Sequence, residues 1–123
     1  MTKLLIIDDE KLARMTMCKI LERAGYEIVE ASTGLSGLKA FRAEPFDLVI
    51  TDIIMPDMEG IETIKELRRV APTVKIVAVS GGGRTKNLDF LRLARERGAS
   101  HVLEKPFTQK ELLQTVEAAL AVS

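Results

Sequence analysis

Short apolar runs alternate with longer amphipathic ones along the chain. Leu4 to Ile7, Leu48 to Ile50 and Val74 to Val79 are compact and rich in β-branched residues. Each reads as a strand buried on both faces. Tyr26 to Val29 and Val102 to Leu103 are weaker strand candidates, placed nearer the sheet edges. Between them, apolar residues recur at helical spacing. Over residues 10 to 24, Ala13, Met17, Ile20 and Ala24 share one face, Cys18 falls on the solvent side, and Gly25 supplies a stop. Leu35, Leu38 and Phe41 mark a second helix ending before Pro45. Ile61, Ile64, Leu67 and Ala71 mark a third ending before Pro72. Phe90, Leu91 and Ala94 mark a fourth, closed by Gly98. Thr108 and Glu111 have the spacing of a capping box and open a fifth, with Leu112, Val116 and Leu120 as its apolar stripe.

Strands and helices thus alternate five times. That pattern predicts right-handed crossovers and a parallel sheet covered on both faces. Five units are too few to close an eight-stranded barrel. The expected fold is α/β: an open, doubly wound, flavodoxin-like sheet in the strand order 2-1-3-4-5 with five helices. Residues 1–123 are one domain's worth of chain. No linker, repeat or low-complexity tract interrupts them. The last helix runs almost to Ser123, so no effector domain is expected at either end.

Composition narrows the function. At 46% hydrophobic and 29% charged, the chain has the balance of a soluble protein with a real core. Eighteen basic side chains match eighteen acidic ones, which argues against nucleic-acid binding by bulk charge. No apolar run approaches the ~20 residues of a membrane span. The N-terminal apolar stretch meets Asp8-Asp9-Glu10 instead of a small-residue cleavage site, so no signal peptide is expected. Cys18 is the only cysteine; no intrachain disulfide can form, and a reducing, cytoplasmic location is expected.

In open α/β sheets the reactive crevice lies beyond the carboxyl ends of the strands. Asp8 and Asp9 follow the first predicted strand and Asp52 the third. Ser80 and Gly81-Gly82-Gly83 follow the fourth, and Lys105-Pro106 the fifth. Three carboxylates on one rim repel and need a cation to stay ionised together. All-oxygen ligation suits Mg²⁺, and no Cys/His cluster competes for a softer metal. A lysine beside such a site supplies the second positive charge that a phosphoryl group in transfer requires. A hydroxyl and a side-chain-free glycine loop can approach an anion closely. The set fits phosphoryl transfer to a carboxylate. Taken singly, Asp8-Asp9 would read as an acidic pair favouring a helix N-terminus, and Ser80 as an ordinary loop serine.

The chain resembles the receiver domain of two-component response regulators, in the stand-alone form typified by chemotaxis regulators. The likeness rests on Ile7-Asp8-Asp9-Glu10, the run from Asp47 to Gly60 around Asp52, Val79-Ser80-Gly81-Gly82, Gly98-Ala99 and Lys105-Pro106-Phe107, in order. The resemblance implies that Asp52 accepts the phosphoryl group. It implies Mg²⁺ ligation by Asp9 directly, by Asp8 largely through water, by Asp52, and by the main-chain carbonyl of Ile54. Ser80 would be the switch hydroxyl, Lys105 the phosphate-pairing cation, and the Lys105–Pro106 bond cis. A histidine kinase or histidine phosphotransfer protein would be the donor and a downstream protein the target, with no part for nucleic acid or membrane. The chain would not be an enzyme beyond catalysing its own phosphorylation and slow dephosphorylation.

Three positions depart from the family pattern. Val102 stands where a bulky aromatic is usual, which removes the ring that swings inward on activation. Transmission would then fall to the glycine loop and the fourth helix. Gly81 replaces a frequent alanine. Ile54 is apolar and cannot orient an attacking water. Met15 points away from the predicted core face of the first helix, with Leu12 nearby, and together they suggest a docking patch beside the acids. Two other function classes remain open at this point. One is an interaction module that keeps the fold without using phosphate. The other is a Mg²⁺-dependent phosphatase, which would need a second acid and a substrate cap that this length does not accommodate.

Overall fold

The computed structural model of the chain describes residues 2–53, 60–80, 92, 95, 96 and 98–121. The strands are β1 (Lys3–Ile7), β2 (Glu27–Ala31), β3 (Leu48–Asp52), β4 (Lys75–Ser80) and β5 (His101–Glu104). All neighbours pair parallel, in the order β2-β1-β3-β4-β5, as the alternating pattern predicts. Four helices lie among the described residues: α1 (Lys11–Arg23), α2 (Gly34–Ala43), α3 (Gly60–Val70) and α4 (Gln109–Ala121). The last is the fifth predicted helix. Of the predicted fourth, Arg92, Arg95 and Glu96 are described and helical, whereas Phe90, Leu91, Ala94 and the triglycine lie outside the described residues.

Strand residues point alternately to the two faces, so each buried strand feeds two cores. Leu5, Ile7, Val49, Ile76 and Ala78 pack with Leu38 of α2 and with Ile61, Ile64 and Leu67 of α3. Leu4, Ile6, Ile50, Val77 and Val79 pack with Met17, Cys18 and Leu21 of α1 and with Leu112, Val116 and Ala119 of α4. Full burial of such a side chain contributes about 1.5–3 kcal/mol. This is why the continuous apolar runs became central strands.

The helix ends follow local chemistry. Thr108 accepts from the Glu111 N–H at 3.0 Å, and Glu111 accepts from the Thr108 N–H at 2.8 Å, the predicted capping box. Thr33 and Ser36 cap α2 in the same reciprocal way. Gly25, at φ +100°, lies just past the end of α1. Two expectations need correction. Cys18 is buried, because the inward stripe of α1 is centred on Met17, Cys18 and Leu21, while Ala24 sits exposed beyond the helix end. Leu35 is 59% exposed, since α2 turns Gly37 and Leu38 inward instead.

Arg68 ties the far edge together. Its guanidinium donates to the carbonyls of Pro72 at 2.8 Å, of Val74 at 2.6 Å, and of Gly98. Burial lowers its pKa. The end of α3, the start of β4 and the approach to β5 are thereby held in one place.

Candidate functional site

Parallel strands end on one edge, and register decides which side chains meet there. Ile7 pairs with Thr51, so Asp8 and Asp52 follow on adjacent strands at the same level. Adjacent strands lie about 4.8 Å apart. Asp52 is the last residue of β3 and Ser80 the last of β4, so both strands run past the ends at Ile50 and Val79 that the sequence pattern placed. Ser80 pairs with Glu104, and its carbonyl accepts from the Lys105 N–H at 2.8 Å. Lys105 thus starts two strands away from Asp52, and its long side chain covers the gap.

The ammonium of Lys105 lies 3.0 Å from Asp8 Oδ2 and 3.4 Å from Asp52 Oδ2. Both carboxylates are buried. Burial alone would lower the lysine pKa. The hydrogen bond to Asp8 and the charges of Asp8 and Asp52 outweigh it and hold the pKa above its ordinary value. The other oxygen of Asp8 accepts from the Glu10 N–H at 2.9 Å. Asp9 is exposed, at the start of the crevice. The Lys105–Pro106 peptide bond is cis.

The structure therefore brings Asp8, Asp9, Asp52 and Lys105 together. One oxygen from each of the three carboxylates lies within 4.8 Å of the others. Such a donor set, all hard oxygen and strongly anionic, fits Mg²⁺. Ser80 is fully buried, and its hydroxyl has no hydrogen-bond partner among the described residues. A buried hydroxyl in that condition costs stability, and an anion at the crevice would satisfy it. Ile54 lies outside the described residues. Val102 is partly buried beside Leu103, and β5 carries no phenylalanine, tyrosine or tryptophan.

Arg14 is the residue that sequence reasoning missed. It donates to the Asp8 carbonyl at 2.8 Å through Nη1 and to Glu30 Oε1 at 3.0 Å through Nε. Its partner is 16 residues away on the neighbouring strand, so no local pattern announces the contact. Leu12 and Met15 are exposed as expected, at 77% and 37%.

Burial, with the negative charges of Glu30 and Glu22, pushes the Cys18 thiol up to about 12. Moving from the ordinary 9.0 to about 12 removes about a thousandfold of the reactive thiolate at neutral pH. Iodoacetamide at pH 8 should therefore leave the folded protein unmodified while alkylating the denatured chain. Equal rates in both states would show that this face of α1 is open to solvent.

The sequence profile of the response regulator receiver domain matches residues 4–117. The chain belongs to the response regulator receiver domain family. It is 32% identical over 120 residues to the response regulator receiver protein CpdR of Brucella abortus, covering 98% of each chain. It is 35% identical to the transcriptional regulatory protein CpxR homolog of Haemophilus influenzae, covering 98% of this chain but 51% of that one. A crystal structure of a response regulator receiver domain protein from Clostridium thermocellum superposes with a TM-score of 0.89 at 32% identity, covering 98% of this chain and 94% of the other. Receiver domains are typically signalling switches and not enzymes. The acidic pocket with Lys105 is consistent with a phosphoryl-accepting switch. No described helix is long and apolar enough to cross a membrane.

Proposed function

We propose that this receiver takes a phosphoryl group onto Asp52 from a phosphohistidine of a histidine kinase or histidine phosphotransfer protein. The supporting observation is a buried carboxylate at the tip of a central strand with the Lys105 ammonium 3.4 Å away. An Asp52 oxygen forms the new bond to phosphorus as the phosphorus–nitrogen bond of the donor breaks. The imidazole leaves with the electron pair and is then free to take up a proton. Lys105 balances charge on the phosphoryl oxygens, and Ser80 donates its otherwise unpaired hydroxyl to one of them. Mg²⁺ held by Asp8, Asp9, Asp52 and the Ile54 carbonyl would offset the remaining negative charge.

The apolar Ile54 side chain offers no group to orient water, which suits slow self-dephosphorylation. Leu12 and Met15 give the donor an apolar surface beside the acids. Output passes by altered binding of a downstream protein to the face formed by the predicted fourth helix, β5 and α4. A small phosphodonor with Mg²⁺ should add ~80 Da, one phosphoryl group on a nucleophilic carboxylate. Asp52→Asn should add nothing. Equal labelling of Asp52→Asn would overturn the acceptor assignment. A folded wild type that stays unlabelled would favour an interaction module that does not use phosphate.

A further inference from the structure

We infer that Arg14 and Glu30 form a positioning pair for the acidic site, acting through the peptide between Asp8 and Asp9. The proposal rests on the metal site described above and adds residues that touch neither metal nor phosphoryl group. A peptide unit is planar, so fixing its oxygen fixes the direction in which the chain continues. The Asp8 carbonyl oxygen is held by Arg14 Nη1 at 2.8 Å, and the Asp8 N–H is held by the Ala31 carbonyl at 3.1 Å. Asp9 leaves from that fixed plane. Among the described residues no hydrogen bond or ion pair holds its carboxylate, so the backbone is what aims it toward Asp8 and Asp52.

Arg14 needs an anchor of its own, because its long side chain has many rotamers to choose from when nothing holds it. Glu30 Oε1 accepts from Nε at 3.0 Å. Glu30 stands on β2 opposite Ile6 of β1, two residues before Asp8. The rigid guanidinium fork serves both acceptors at once, which one lysine ammonium on a flexible stem would not reproduce. The two charges cancel, so the anchor adds no net charge beside the acids. For the loss of Arg14, a positioning role and a through-space charge effect therefore make opposite predictions.

The test is a Mg²⁺ titration of the unphosphorylated protein, followed by calorimetry, for wild type, Arg14→Met, Glu30→Gln and the double variant. Partners that orient a metal ligand typically contribute 10-fold or more in affinity. Arg14→Met should weaken Mg²⁺ binding about tenfold, Glu30→Gln several-fold, and the double variant no more than Arg14→Met, since the pair acts as one unit. Arg14→Lys, which keeps the charge and most of the bulk, should also bind more weakly and covers the case in which Arg14→Met does not fold. Affinities within twofold of wild type in both single variants would overturn the proposal. So would tighter binding by Arg14→Met alongside weaker binding by Glu30→Gln, the signature of charge alone. Wild type that takes up no Mg²⁺ would instead overturn the metal site itself, and the pair's role with it.

Discussion

Replacing Lys105 with methionine should destabilise the metal-free protein by about 3–5 kcal/mol, the cost of stripping a buried charge of its partner. Asp8 and Asp52 are both buried, and the Lys105 ammonium at 3.0 and 3.4 Å stands between them. Without it, the two buried carboxylates lose the cation that bridges them. The melting temperature should fall by on the order of 10 °C. Mg²⁺ should then stabilise the variant more than it stabilises wild type, because the ion binds only the folded site and supplies the missing positive charge. Phosphoryl incorporation should drop about a hundredfold, the usual cost of removing one preorganised electrostatic partner. A variant melting within ~2 °C of wild type without Mg²⁺ would show that the carboxylates do not depend on this lysine.

The same ion pairs give wild type a defined alkaline limit. The folded-state pKa of Lys105 is raised above the unfolded value of 10.5. A raised basic group stabilises the fold fully below its unfolded pKa, and that contribution is lost as pH rises through the folded one. Chemical denaturation between pH 9 and pH 12 should therefore show a steeper loss above 10.5 in wild type than in Lys105→Met.

Much of the site was legible because parallel strands place their carboxyl ends on one edge. Once Leu4 to Ile7 and Leu48 to Ile50 read as central strands, the acids that follow had to meet, and the register of Ile7 with Thr51 does this. Lys105 was legible for the same reason, given a side chain long enough to cross β4. The inward face of α1 was not. Its stripe is narrow and lies between Met17 and Cys18, and small alanines such as Ala24 carry little information about burial. Leu35 shows the converse: an apolar residue at helical spacing that stays exposed. Arg14 escaped because its partners are a backbone oxygen and a glutamate on another strand, neither of which leaves a periodic trace.

Gly60 is a position whose importance depends wholly on tertiary contact. Its N–H donates to the Ile53 carbonyl at 3.0 Å, bringing the first turn of α3 against the tip of β3. A Cβ built there would overlap the Asp52 carbonyl oxygen and the Ile53 Cα, both backbone atoms that cannot rotate away. Gly60→Ala should therefore cost about 3 kcal/mol, the upper end of ordinary overpacking. The melting temperature should fall by on the order of 10 °C. The displaced atoms include the carbonyl of Asp52 itself, so the carboxylate must move with them. A misplacement of about 1 Å can cost ~100-fold in rate; phosphoryl incorporation should drop at least tenfold even at temperatures where the variant is folded. Gly25→Ala supplies the contrast. Its φ of +100° strains any side chain, but nothing lies within 4 Å of the added methyl. It should lose about 1–2 kcal/mol of stability, the usual cost of the left-handed backbone, and label at the wild-type rate. Normal labelling by folded Gly60→Ala would mean that Asp52 keeps its place without the close approach of α3.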